Sequence, residues 1–150
     1  GAGPYNLSWE STRADIMRAV LEGVAMNCRW LMNPVKQFLG QDVSAIHLVG
    51  GGAQSDVWCQ IFADVLKVQI KQIADPIAAN ARGAAWIAAV GLGSLSFDDI
   101  PRLITVQETY EPNSIHRTLY DERFAVFKEF YKRTKHIYKK LNALDNGPSL

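Results

Sequence analysis

The chain has 150 residues, 48% of them hydrophobic and 21% charged, with a net charge of +1, which suits one compact domain with a real core. Sixteen basic against fifteen acidic side chains leave no global field for gripping nucleic acid, and the longest apolar stretch, Gly83 to Gly93, falls well short of the roughly 20 residues of a membrane span. Two cysteines and three scattered histidines form no zinc pattern, and no signal-peptide pattern is visible, so the expected setting is the reduced cytoplasm, without nucleic-acid or membrane partners.

Thr12-Arg13-Ala14-Asp15 has the form of a capping box. From there apolar residues recur with helical spacing at Ile16, Met17, Val20, Leu21, Val24, Ala25, Cys28, Leu31, Met32 and Val35. Pro34 is expected to kink or end this helix, with Gly40 as the natural stop. Ala45 to Val49 reads as a strand running into Gly50-Gly51-Gly52. A helix started by Ser55-Asp56 follows, with Val57, Trp58, Ile61, Phe62, Val65 and Leu66 on its inner face. Val68 to Ile73 reads as a second strand, Asp75-Pro76 as a break, and Ile77 to Leu92 as an Ala-rich third helix. Ser96-Phe97-Asp98-Asp99 caps a short helix reaching Ile104. After a loop at Glu111-Pro112-Asn113, an amphipathic helix runs from Ile115 to Leu144, with Phe124, Phe127, Phe130, Tyr131, Tyr138 and Leu141 as its apolar stripe. Strand, glycine turn, helix, strand, helix is the grammar of a parallel α/β sheet. Only two strands are clear, with Tyr5-Asn6-Leu7 as an optional third, so the sheet reads as truncated.

The strongest local signal is the run from Gly50 through Asp56. Glycines at a strand's carboxyl end let backbone approach a ligand without a Cβ in the way, and the helix that follows offers free N–H groups and the positive end of its dipole. The competing explanation is a turn that merely lets strand and helix pack closely. A dinucleotide fingerprint is excluded because Ser55 stands where its third glycine belongs, and a P-loop because no Gly-Lys-Ser/Thr occurs. Gly52 is expected to hold a left-handed or ligand-contacting backbone, so that Gly52→Val removes ligand binding and spares the fold. Gly83, inside the third helix, calls for close approach of a backbone or a flat ligand.

Other candidates are weaker. Asp15, Glu22, Asp56 and Asp64 are single carboxylates on helices, expected as caps or ion pairs, with Glu22 a structural ion pair inside a buried pattern. His47 is expected to be a satisfied strand histidine. Lys128, Lys132, Arg133, Lys135, Lys139 and Lys140 form a solvated face.

Asn6-Leu7-Ser8 with Thr12 through Ala25, then Gly50 through Trp58 with Gln60 through Leu66, then Arg82-Gly83-Ala84-Ala85 with Ala88, resemble three ordered motifs of the FGGY-type carbohydrate kinases, nearest the xylulose-kinase-like branch. Tyr110 to Asn113 and Tyr120 resemble the family's closing region more loosely. The resemblance implies an α/β fold of the ribonuclease-H-like, actin-type ATPase class, with residues 1–150 as the C-terminal, nucleotide-side lobe lacking its opening strands. It implies ATP and Mg²⁺ as cofactors and places Gly50, Gly51, Gly52, Ala53, Gln54, Ser55 and Asp56 at the nucleotide. The same resemblance assigns the general-base Asp and the sugar pocket to an N-terminal domain that these residues do not contain, so the chain alone is expected to be inactive and to partner that domain. The start Gly1-Ala2-Gly3-Pro4 leaves open a tag remnant, processing or a longer parent. An uncovered strand edge makes a homo-oligomer an expected liability. Departures from the motifs stand at Glu10-Ser11, where a His is usual, at Ala78 in place of an acidic residue, and at Arg82 in place of Leu. The alternative reading is a non-catalytic α/β module that binds a protein partner.

Overall fold

The computed structural model describes residues 7–144. Helix α1 (Arg13–Leu39) begins with the expected capping box. Thr12 accepts from the Asp15 N–H, and the Asp15 carboxylate accepts the Thr12 N–H at 2.9 Å. The helix does not stop at Pro34. Pro34 is exposed, so solvent can take over the hydrogen bond that its missing N–H leaves unmade. The helix ends at Gly40, whose left-handed backbone (φ 65°) sends its N–H back to the Lys36 carbonyl.

Strands β1 (Ala45–Leu48) and β2 (Gln69–Ile73) pair in parallel with Ile46 opposite Ile70, joined by helix α2 (Asp56–Leu66). Helix α3 (Ala79–Gly91) and the short α4 (Ile100–Leu103) follow, then strand β3 (Val106–Tyr110) and the long helix α5 (Arg117–Leu144). The sheet order is β1-β2-β3, and β3 runs antiparallel to β2 with Tyr110 opposite Ile70. The sheet is therefore mixed, not wholly parallel as the sequence suggests. Strand β3 escapes a reading by periodicity because all but one of its residues are exposed and no apolar alternation marks it; pairing to β2 makes it a strand. The optional strand at Tyr5-Asn6-Leu7 lies outside the described residues at Tyr5 and Asn6, and Leu7 is not in a strand.

Helix α2 is the centre of the core. It packs on β2 and against α1 and α5, burying Cys59, Ile61, Phe62, Ala63 and Val65 among Ala25, Met26, Ile70, Tyr120 and Phe124. Each large apolar side chain so enclosed contributes about 1.5–3 kcal/mol. Trp30 on α1 meets Phe127 and Tyr131 of α5 edge-on, and the Trp58 indole of α2 donates to the Leu21 carbonyl of α1.

Two ionic knots tie the helices together. Glu22 is 7% exposed and accepts from Arg18 Nε and Arg123 at 2.8 Å each and from the Tyr120 hydroxyl at 3.0 Å, the structural ion pair expected of it. Burial is the main force pushing the Tyr120 phenol up. In the second knot Asp121 bridges Lys67 and Arg29, both at 2.5 Å. Those two cations hold its carboxyl down to about 2. In contrast, α3 buries no residue completely.

Candidate functional site

The glycine run sits where β1 ends. Gly50 has φ 86°, a backbone that side-chain-bearing residues rarely adopt, and its N–H donates to the Pro76 carbonyl at 2.8 Å, across the loop that leaves β2. Gly51 to Gln54 then close a tight 3₁₀ turn in which the Ala53 N–H donates to the Gly50 carbonyl and the Ser55 N–H to that of Gly52. Ser55 caps α2, its hydroxyl accepting from the Trp58 N–H at 3.3 Å. The first N–H groups of α2, at Asp56 and Val57, have no intrahelical acceptor.

The structure brings the seven predicted residues together but gives them different work. Gly51, Gln54, Ser55 and Asp56 are exposed, Gly50 and Gly52 half-buried, and Ala53 buried. A Cβ on Gly51 would meet nothing within 4 Å, whereas one on Gly52 would lie 2.4 Å from Cζ3 of Trp58. The left-handed backbone expected of Gly52, and a fold spared by Gly52→Val, are thereby corrected. Its φ is not positive, and the crowding that demands glycine comes from this chain's own indole.

The turn is also held from the sheet by a residue that sequence reasoning missed. Gln72 on β2 is 2% exposed. Its Nε2 donates to the Ala53 carbonyl at 2.7 Å and to Asp56 Oδ1 at 3.1 Å, and its Oε1 accepts from the Tyr110 hydroxyl at 3.3 Å. Burial and then the nearby Asp56 carboxylate push the Tyr110 phenol up to about 12. The available signal was a polar residue two positions from Ile70, on the face of β2 that must be buried. The loop behind Gly50 is braced by Arg82, whose guanidinium donates to the Ala74 and Asp75 carbonyls at 2.9 Å each; this is the work of the residue that departs from the motif.

The remaining candidates fall elsewhere. Asp64 is buried and accepts from Gln60 and the Asn113 N–H at 2.8 Å each, a cap like that of Asp15. His47 is exposed and lines a cleft of about 350 Å³ with Asp75, Arg82 and Trp86. A Cβ on Gly83 would meet nothing within 4 Å; among the described residues no close backbone accounts for it. Lysines 132, 135, 139 and 140 with Arg133 lie exposed along α5, while Lys128 is half-buried with its ammonium over the Phe124 ring. Among the described residues no three His, Cys, Asp or Glu side chains gather to hold a metal, and no helix is long and apolar enough to cross a membrane.

Comparison with known proteins places this geometry. Over 144 residues the chain is 34% identical to a xylulose kinase of Staphylococcus epidermidis, covering 93% of this chain and 28% of that protein. A glycerol kinase of Lactococcus lactis is 31% identical over 118 residues, 79% of this chain and 22% of its own length. The crystal structure of xylulose kinase from Rhodospirillum rubrum superposes with a TM-score of 0.70 at 31% identity, over 91% of this chain and 29% of that one. The chain thus spans about 28% of the Staphylococcus relative, and its α/β unit is the C-terminal domain of an actin-like ATPase fold. The family model for the FGGY family of carbohydrate kinases, C-terminal domain, matches residues 5–92, a span that holds both the glycine turn and the Gly83-Ala84-Ala85 helix, and the chain accordingly belongs to that family.

Proposed function

We propose that this chain is the nucleotide-side lobe of an ATP-dependent carbohydrate kinase, and that the parent enzyme phosphorylates a hydroxyl of xylulose or a related pentulose or polyol. The observation that carries the proposal is the exposed face of the turn, where Gly51 leaves open space and Gln54, Ser55 and Asp56 stand beside it. The Asp56 carboxylate offsets the positive end of α2, so the turn suits hydrogen-bond donors such as ribose hydroxyls and a base amine better than a phosphate chain. Gly50, Gly51, Gly52 and Ala53 would pass beneath the adenosine, with Gln54, Ser55 and Asp56 at its edge. Mg²⁺ would arrive on the triphosphate and be held mainly by parts of the enzyme outside this chain, supplying charge neutralisation during phosphoryl transfer. The general base and the sugar pocket belong to an N-terminal domain, the chain's principal partner, in a cytoplasmic enzyme.

A non-catalytic interaction module is the competing reading, favoured by the exposed apolar residues Met17, Val20, Val24 and Leu31 along α1. One experiment separates the two. The chain alone, and the chain joined to the N-terminal remainder of the Staphylococcus xylulose kinase, are given MgATP with a panel of pentuloses and polyols, and ADP is followed. Sugar-dependent ADP release by the joined protein, and none by the chain alone, is expected. Turnover at ordinary rates by the chain alone would overturn the division of labour, and a folded joined protein that neither binds nor consumes MgATP would favour the interaction module.

A further inference from the structure

We propose that Gln72 is a positioning residue for the nucleotide-side turn, acting through Ala53 and Asp56 and itself oriented by Tyr110; this rests on the nucleotide reading above. The argument begins with what the amide can do. A glutamine side chain has two N–H donors and one carbonyl acceptor, and all three functions of this one are used: Nε2 toward the Ala53 carbonyl and Asp56 Oδ1, Oε1 toward the Tyr110 hydroxyl. Only one orientation satisfies this set. Flipping the amide would aim its oxygen at a carbonyl and a carboxylate, both acceptors.

The partners make the contact consequential. Ala53 is wholly buried, and among the described residues its carbonyl otherwise receives only the weak S–H of Cys59 at 3.8 Å. Without the Gln72 donor this carbonyl is left in low dielectric with almost no compensation, a situation that shifts backbone or admits water. Besides Gln72 the turn is held by its own backbone hydrogen bonds and by the Gly50 N–H on the Pro76 carbonyl, and Gly51 and Gly52 supply no side chains to add to them. Gln72 thus sets two things at once: the path of the backbone from Gly50 to Ser55, and the direction of the Asp56 carboxylate at the head of α2. In this role it touches no ligand. Its effect is to keep the exposed donors and acceptors of the turn in one arrangement, so that the ordering is not charged to nucleotide binding.

The test uses the 150-residue chain, ¹⁵N-labelled, titrated with MgATP and MgADP, alongside the Gln72→Leu, Gln72→Glu and Tyr110→Phe variants. Thermal melting confirms which of them fold. In the wild type, the Ala53 and Ser55 amides, which donate within the turn, are expected to be protected from exchange before nucleotide is added, and amides from Gly51 to Asp56 are expected to shift when it binds. Gln72→Leu should lose that protection and bind MgATP about tenfold more weakly, the size expected for one buried hydrogen bond left unmade. Tyr110→Phe, the mildest change, should weaken binding about two- to threefold. Gln72→Glu supplies a readout that a merely structural residue would not give. Its carboxylate would repel the Ala53 carbonyl and Asp56 at pH 8, whereas its protonated acid can donate, so turn protection and affinity should recover partly as pH falls toward 5. Unchanged exchange and affinity in folded Gln72→Leu and Tyr110→Phe overturn the proposal. If Gln72→Leu fails to fold, the Tyr110→Phe result and the pH response of Gln72→Glu decide alone. A wild-type chain whose turn ignores nucleotide, with variants that still loosen the turn, would overturn the nucleotide reading and keep Gln72 as the turn's anchor.

Discussion

Gly52 and Trp58 occupy one volume: a Cβ added to the glycine would stand 2.4 Å from Cζ3 and 2.8 Å from Cε3 of the indole. The ring cannot retreat freely, since its Nε1–H donates to the Leu21 carbonyl and its centroid lies 5.6 Å from that of the Phe62 ring. Gly52→Val should therefore destabilise the protein by about 1–3 kcal/mol, the usual range for overpacking, and should change the tryptophan emission. Gly51→Ala is the paired control. With open space around it, stability should stay within about 0.5 kcal/mol, and any loss of MgATP affinity would be steric. Equal melting curves for Gly52→Val and wild type would show that the indole yields without cost.

Removing the buried carboxylate of Glu22 should be among the most damaging single changes. Glu22→Ala leaves Arg18 and Arg123 without their shared anion and the Tyr120 hydroxyl without its acceptor. Because Arg18 and Arg123 are about half exposed and can turn to solvent, the cost is about 1–3 kcal/mol, chiefly the buried Tyr120 hydroxyl left without its acceptor, and α1 is uncoupled from α5 as well. Denaturant midpoints should fall sharply for Glu22→Ala and less for Glu22→Gln, which keeps the shape and one acceptor. A near-neutral Glu22→Ala would contradict the assignment of this knot as structural.

The Asp121 knot predicts a pH window. Lys67 and Arg29 depress the folded-state pKa of this carboxyl to about 2, below its ordinary value, so the stabilisation is fully present above about pH 4. It is lost as pH falls from there through about 2. Because Asp121 is part-exposed, the effect is screened and modest. The gap in melting temperature between wild type and Asp121→Asn should be constant above pH 5 and close near pH 2. A gap unchanged at pH 2 would place the stabilisation elsewhere.

Among the described residues β1 pairs on one edge only, with β2, and α1 carries exposed Met17, Val20, Val24, Leu31 and Phe38. An open strand edge beside apolar surface favours association. Light scattering of the 150-residue chain should show mass rising with concentration, and a Leu31→Lys change on the exposed face of α1 should reduce it. A monomer at every concentration would mean that this edge is already protected.

Much of the architecture was legible one segment at a time. Whereas the expected apolar stripes are buried only in part, with Met17, Val20, Val24 and Leu31 of α1, Val57 of α2 and Tyr131 and Leu141 of α5 exposed, the Thr12 capping box, the Gly40 stop and the Ser55 cap depend on interactions within a few residues, so local chemistry alone set them. The glycine turn was legible for the same reason, and the family resemblance of its flanks gave it a chemical meaning. What remained hidden depended on partners distant in sequence. Strand β3 exists because β2 offers it backbone hydrogen bonds, not because its side chains alternate. Pro34 fails to end α1 because the helix is held on both sides of it by Trp30, Cys28 and the cap at Gly40. Gln72 looks like an ordinary polar strand residue until the fold brings Ala53, Asp56 and Tyr110 around its amide, 19, 16 and 38 positions away in sequence. That Trp58 leaves no room for a side chain at Gly52 is likewise invisible until the fold is seen. Short-range spacing determines where helices start and stop; which side chains share a volume or a hydrogen bond across the fold is decided only when the chain closes on itself, because those energies appear only at contact.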